Sequence, residues 1–241
     1  MSNMQSKTNQ FIISGKGLIP EGNFDYVKVN GSGKAFKPVT IKLLEINGNL
    51  TAMAPIIAEV INITGTGKFR ELTSEKFSVY GGASIDGPSS IEHLNIRGNF
   101  KSTGNISSNR IDVYGKLRCT GEIEAENVMT EGAIVAELVN AENITMNVWH
   151  RSTISIIQAT SIQVFKNPLH KVSEFFSTRD GFCLVVNEIE ADRISLVATK
   201  AQIVRGEDVT IGEGCNIELV EYTGTLTVAP GAIVKSQVKV I

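Results

Sequence analysis

The chain has 241 residues, 23 Lys plus Arg against 25 Asp plus Glu, and a formal net charge of −2. That length predicts one or two domains, and the balanced charge supplies no general cationic field of the kind that nucleic-acid phosphates attract. No apolar run approaches the roughly 18 residues of a membrane-spanning helix, and the polar stretch Met1 to Gln10 does not read as a secretory signal. Ile (28) and Val (22) outnumber Leu (13), alongside 18 Thr and 22 Gly. β-Branched residues lose rotamer freedom in a helix and pack well on a pleated surface, so an almost all-β protein is expected. Three scattered cysteines, Cys119, Cys183 and Cys215, predict reduced thiols in a cytoplasmic protein rather than a disulfide framework or a zinc site.

Residues 1–40 fit no regular spacing and are expected to form an irregular first turn. Their short apolar stretch, Phe11-Ile12-Ile13, is the one candidate there for membrane contact. From residue 41 to 165 whole columns recur. Gly81, Gly98, Gly115 and Gly132 stand seventeen apart, preceded by Val79, Ile96, Val113 and Thr130 and followed by Phe100, Leu117 and Ile134. Ile46-Asn47-Gly48 and Ile63-Thr64-Gly65 extend the series upstream; Val128 and Ile144 extend it downstream at sixteen. Within a unit, apolar or small residues alternate with polar ones, which puts one set inside and the other in water. The phase flips at Asn127-Val128, as at a corner, and glycines suit corners through close backbone approach or positive φ.

Short strands at a fixed period with regular corners predict a right-handed parallel β-helix, a solenoid of about seventeen residues per rung. Stacked at roughly 4.8 Å, these units would make a rod about 35–40 Å long. Ile96, Val113 and Thr130 then form one interior ladder, Phe100, Leu117 and Ile134 a second, and Ile106 with Ile123 a third. Evenly spaced hairpins in a β-sandwich are the competing reading. The period is interrupted near residue 166. Residues 166–181, with Pro168 and Phe175-Phe176, read as an insertion or linker that could cap one end. Residues 182–241 read as further rungs, with Ile194, Ile211 and Val228 seventeen apart, or else as a separate small β-unit.

No catalytic, cofactor-binding or metal-binding residues are expected from the motifs of the sequence. Asn30-Gly31-Ser32-Gly33-Lys34 lacks the spacing of a phosphate loop, and His93, His150 and His170 have no partner at zinc spacing. Gly81 to Asp86 partly resembles a calcium nonapeptide but is not repeated in tandem. Glu122, Glu124 and Glu126 share an outward face and read as solvated strand charges. Ile211 to Ile217 looks like one hexapeptide of an acyltransferase helix, the leading enzymatic alternative. A monomeric β-helical adaptor is the other.

The run Val113 to Ile123 with its seventeen-residue recurrence resembles the polymer-forming bactofilin domain, and Val204 to Gly212 followed by Val220-Glu221-Tyr222 is similar to longer bactofilin-like proteins of Gram-positive bacteria. The resemblance covers most of the chain from about Ile41. It implies a non-enzymatic cytoskeletal scaffold polymerising end to end without nucleotide or cofactor, organising cell-shape, envelope or motility machinery, flagellar assembly included. Its partners would be copies of itself or a paralogous bactofilin, together with envelope or motility clients, in membrane-proximal cytoplasmic assemblies. The alternating stretch Val234 to Ile241 is expected to present Val238, Val240 and Ile241 as the polymer interface.

Overall fold

Apolar and polar residues alternate along nearly every segment, and backbone pairing follows that alternation. The structure, a computed structural model, describes residues 9–147, 150–165 and 183–240. These form one twenty-stranded sheet in which the strands pair in parallel, wound as a right-handed β-solenoid. Each early coil contributes a longer strand and a four-residue strand. The longer ones, eight residues each after a four-residue β1 (Gln10–Ile13), are β3 (Gly22–Val29), β5 (Val39–Ile46), β7 (Ile56–Ile63), β9 (Leu72–Val79), β11 (Ser89–Ile96) and β13 (Ile106–Val113). The shorter ones are β2 (Lys16–Ile19), β4 (Ser32–Ala35), β6 (Asn49–Ala52), β8 (Thr66–Phe69), β10 (Gly82–Ile85) and β12 (Asn99–Ser102). From β14 (Lys116–Thr130) the two kinds fuse, through β15 (Ala133–Asn147), β16 (Ser152–Phe165), β17 (Leu184–Leu196), β18 (Thr199–Ile211), β19 (Asn216–Val228) and the final β20 (Ile233–Lys239).

The register places the repeated columns on top of one another. Ile96 pairs with Val113 and Val113 with Thr130; Phe100 pairs with Leu117 and Leu117 with Ile134; Ile106 pairs with Ile123. All eight are buried. Two neighbouring ladders fill the narrow interior by exchanging volume. Where one carries Leu50, Gly67, Ala83, Phe100 and Leu117, the other carries Ala52, Phe69, Ile85, Ser102 and Cys119. Large stands beside small at each level, which keeps the packing close without strain. Phe77 sits between Phe69 and Phe100, edge to face with each at 6.0 and 5.7 Å. The buried hydroxyls are satisfied locally: Ser102 Oγ donates to the Gly104 carbonyl at 2.8 Å, and Thr130 Oγ1 to that of Val113 at 3.2 Å.

One corner is built by a ladder of glycines, Gly15, Gly31, Gly48, Gly65, Gly81, Gly98, Gly115 and Gly132. A Cβ on Gly98 would lie 2.0 Å from the Gly81 carbonyl oxygen, and one on Gly115 2.1 Å from that of Gly98. Positive φ is not the reason for these glycines, because it occurs only at Gly22, Gly214 and Gly231 among the described ones. Close stacking alone excludes a side chain. The tight approach lets the inter-rung hydrogen bonds continue around the bend, as in Arg97 N–H to Val79 O at 2.8 Å and Tyr114 N–H to Ile96 O at 2.7 Å.

Two expectations need correction. Residues 10–35 are not an irregular turn, since β1 pairs with β3, β3 with β5, and β2 with β4 and β4 with β6, all in register. The apolar signal fades there because Gly17 and Gly33 occupy the ladder that holds Phe100 and Leu117 further on. The C-terminal spacing is also not a uniform seventeen. Ile194 pairs with Val209, fifteen residues on, and Ile211 pairs with Leu196 and Val228. Ile194 and Leu196 both face inward, so alternation alone could not choose between them. The β16–β17 pairing carries the same rod across residues 166–182; the inserted segment 166–181, with Pro168 and His170, lies outside the described residues. Counted along the short-strand side, the described coils span about 58 Å at 4.8 Å per step.

Candidate assembly interface

A solenoid concentrates its unused hydrogen-bonding capacity at its two terminal coils. Among the described residues, β1 is paired only with β3, β2 only with β4, and β20 only with β19. At the first coil, Ile13 and Ile19 are buried, and Phe11 packs on Phe24 with ring centroids 5.8 Å apart. At the last, Ile217 and Val220 close the core, and Ala232 and Val234 are only partly buried against it. The inward column that runs through Ile106, Ile123 and Val220 ends on exposed Gln237.

Val238 and Val240 are exposed, each at 45 %, while Ile241 lies outside the described residues. Val238 pairs with Glu221, and the Val240 amide donates to the Tyr222 carbonyl at 2.9 Å. Glu221 accepts from Arg205 Nε at 2.5 Å, so Val238 belongs to an outward column on the flank. The inward residue of the final strand nearest the core is Val234, in register with Ile217. The register skips a pair at Lys235, and the alternation shifts there, so Val234 faces inward whereas Val238 lies in an outward column. Lysines on a terminal strand commonly block further pairing. Here Lys235 turns back to Glu218 at 2.7 Å, and Lys239 lies over the Tyr222 ring at 5.8 Å.

The other sequence candidates fall apart in space or into ordinary coil chemistry. Glu124 is flanked in its column by Ser107 and Asn140, and Glu122 pairs with Leu138, so neither stacks on another carboxylate. Gly81 to Asp86 is a glycine-ladder corner leading into β10. Ile211 to Ile217 is a turn with Gly214 at φ 74° over buried Cys215. His93 and His150 are exposed. Among the described residues, no group of three or more His, Cys, Asp or Glu is placed to hold a metal ion. Burial pushes the thiols of Cys119 and Cys215 above the ordinary cysteine range. Two flank depressions, of about 890 and 580 Å³, are lined by neither cysteine nor histidine. No described helix is long and apolar enough to cross a membrane.

No family model matches the chain, and no solved structure matches it. The chain is similar to two proteins of Bacillus subtilis (strain 168). "Uncharacterized protein YhbF" is 34 % identical over 103 residues, covering 42 % of this chain and 41 % of that protein. "Uncharacterized protein YhbE" is 48 % identical over 56 residues, covering 23 % of this chain and 24 % of that protein. The chain thus aligns with less than half the length of each relative.

Proposed function

We propose that the chain is a bactofilin-like cytoskeletal scaffold whose terminal coils stack end to end into filaments without nucleotide. The observation that carries this reading is that, among the described residues, β1, β2 and β20 each have a strand on one side only, while Val234 and Phe11 present partly buried apolar side chains at the last and first coils. A second copy placed on either end would continue the hydrogen-bond ladders and cover Val234 or Phe11, so one contact satisfies both kinds of group. The filament would serve as a stiff platform for envelope, cell-shape or motility proteins in membrane-proximal assemblies of the cytoplasm, with a paralogous subunit as a second possible stacking partner.

Pelleting of the purified chain tests this. Wild type should pellet equally with and without nucleotide. Val234→Asp should remain folded, because the carboxylate stays hydrated at a free end, yet should no longer pellet, because stacking would bury it unpaired. Phe11→Asp makes the same test at the other end. Wild type that stays monomeric at high concentration, or pelleting unchanged in both folded variants, would overturn the proposal.

A further inference from the structure

Charge is sorted around the circumference of the rod. The outward positions of β2, β4, β6, β8, β10, β12 and the first turn of β14 carry Lys16, Lys34, Lys68, Lys101, Lys116 and Arg118, and no Asp or Glu. None of the six has an ion-pair partner among the described residues. At 4.8 Å per coil they line about 29 Å of one side. Beside them, toward the first coils, Leu18, Phe36 and Met53 are 60, 55 and 57 % exposed.

The carboxylates collect elsewhere. Each long strand bends near its middle, and Glu59, Glu75, Glu92, Glu126 and Glu142 all fall at that bend, in one outward column. In a three-sided coil this bend lies across from the short-strand side. The cross-section therefore has a cationic side with exposed apolar groups and an anionic ridge opposite.

We propose that the short-strand side lies flat on an anionic lipid bilayer. A bilayer surface meets both features of this side: phosphate headgroups attract the lysine rows, and the headgroup–acyl boundary takes up Leu18, Phe36 and Met53. A nucleic acid would use the cations but not the apolar edge, and the ridge would repel it. The acidic ridge orients the rod with that edge away from the lipid. The inference does not depend on end-to-end stacking, although a filament would multiply a weak contact through avidity.

Flotation of the full chain with vesicles is the test, since lipid-bound protein rises and bare filaments sink. Protein should float with vesicles containing about 30 % phosphatidylglycerol and not with phosphatidylcholine alone. The floated fraction should fall at least about tenfold between roughly 0.05 and 0.5 M salt. The K34E/K68E/K101E variant should lose flotation while keeping its melting temperature, and the milder Lys34→Gln/Lys101→Gln pair should weaken it. Glu75→Gln on the ridge should leave it intact. Equal flotation with neutral vesicles, none with anionic ones, retention by the folded lysine variants, or capture of duplex DNA in place of vesicles would each overturn the proposal.

Discussion

Side-chain volume is traded residue by residue in the interior of this rod, and glycine is the limiting case. A Cβ on Gly67 would sit 2.6 Å from Phe69 Cε2 and 2.7 Å from Ile63 Cδ1, so that glycine is the space Phe69 fills. At Gly98 the obstacle is backbone, which cannot rotate away as a ring can. Gly98→Ala is expected to destabilise the protein by about 3 kcal/mol, at the upper end of overpacking costs. Alanine at exposed Gly15, with nothing within 4 Å of its Cβ, should be nearly neutral. Thermal melting of the two variants checks this, and equal melting temperatures would refute stacking as the role of the column. The glycine column was legible in the sequence from its interval, but its physical cause was not. Spacing locates a corner and says nothing about whether positive φ or close approach demands the glycine there.

The strands differ in what fastens them on their outward side. In the first coils the Tyr26 hydroxyl donates to Glu45 at 2.6 Å, Lys28 pairs with Glu45 at 3.1 Å and Lys42 with Asp25 at 2.6 Å. The Tyr26 hydrogen bond first, and Lys28 second, hold the Glu45 carboxyl below the usual carboxylate range; Lys42, with the Asn9 amide, does the same for Asp25. Both groups bind protons less readily folded than unfolded. Their contribution is therefore present above the ordinary carboxylate range and is lost as pH falls through the depressed folded values. Further along, Arg97 lies between the rings of Tyr80 and Tyr114, at 5.8 and 5.4 Å, contacts that do not themselves involve a carboxylate. Hydrogen-exchange protection in β1, β3 and β5 should accordingly drop on acidification before that in β11 and β13. Parallel loss in both regions would contradict this assignment. The rungs from β5 to β15 were legible because entire columns recur; β1 to β4 were not, because glycines at Gly17 and Gly33 erase the inward apolar signal.

As a whole, the described residues form a stack whose length is set by how many coils it contains. The parallel architecture and the central ladders could be read from alternation and interval alone. The inward residue of the last strand could not, because the register skips a pair at Lys235 and leaves Val234, not Val238, facing the core. The circumferential sorting of charge also escaped the sequence reading, since it emerges only when residues seventeen apart are laid in columns. Cryo-electron microscopy of assemblies of the purified chain tests the central claim most directly. Strand layers about 4.8 Å apart should run along the filament axis and pass without a gap through the junctions between subunits. Isolated single rods at high concentration, or assemblies whose layers stop at every subunit end, would contradict it.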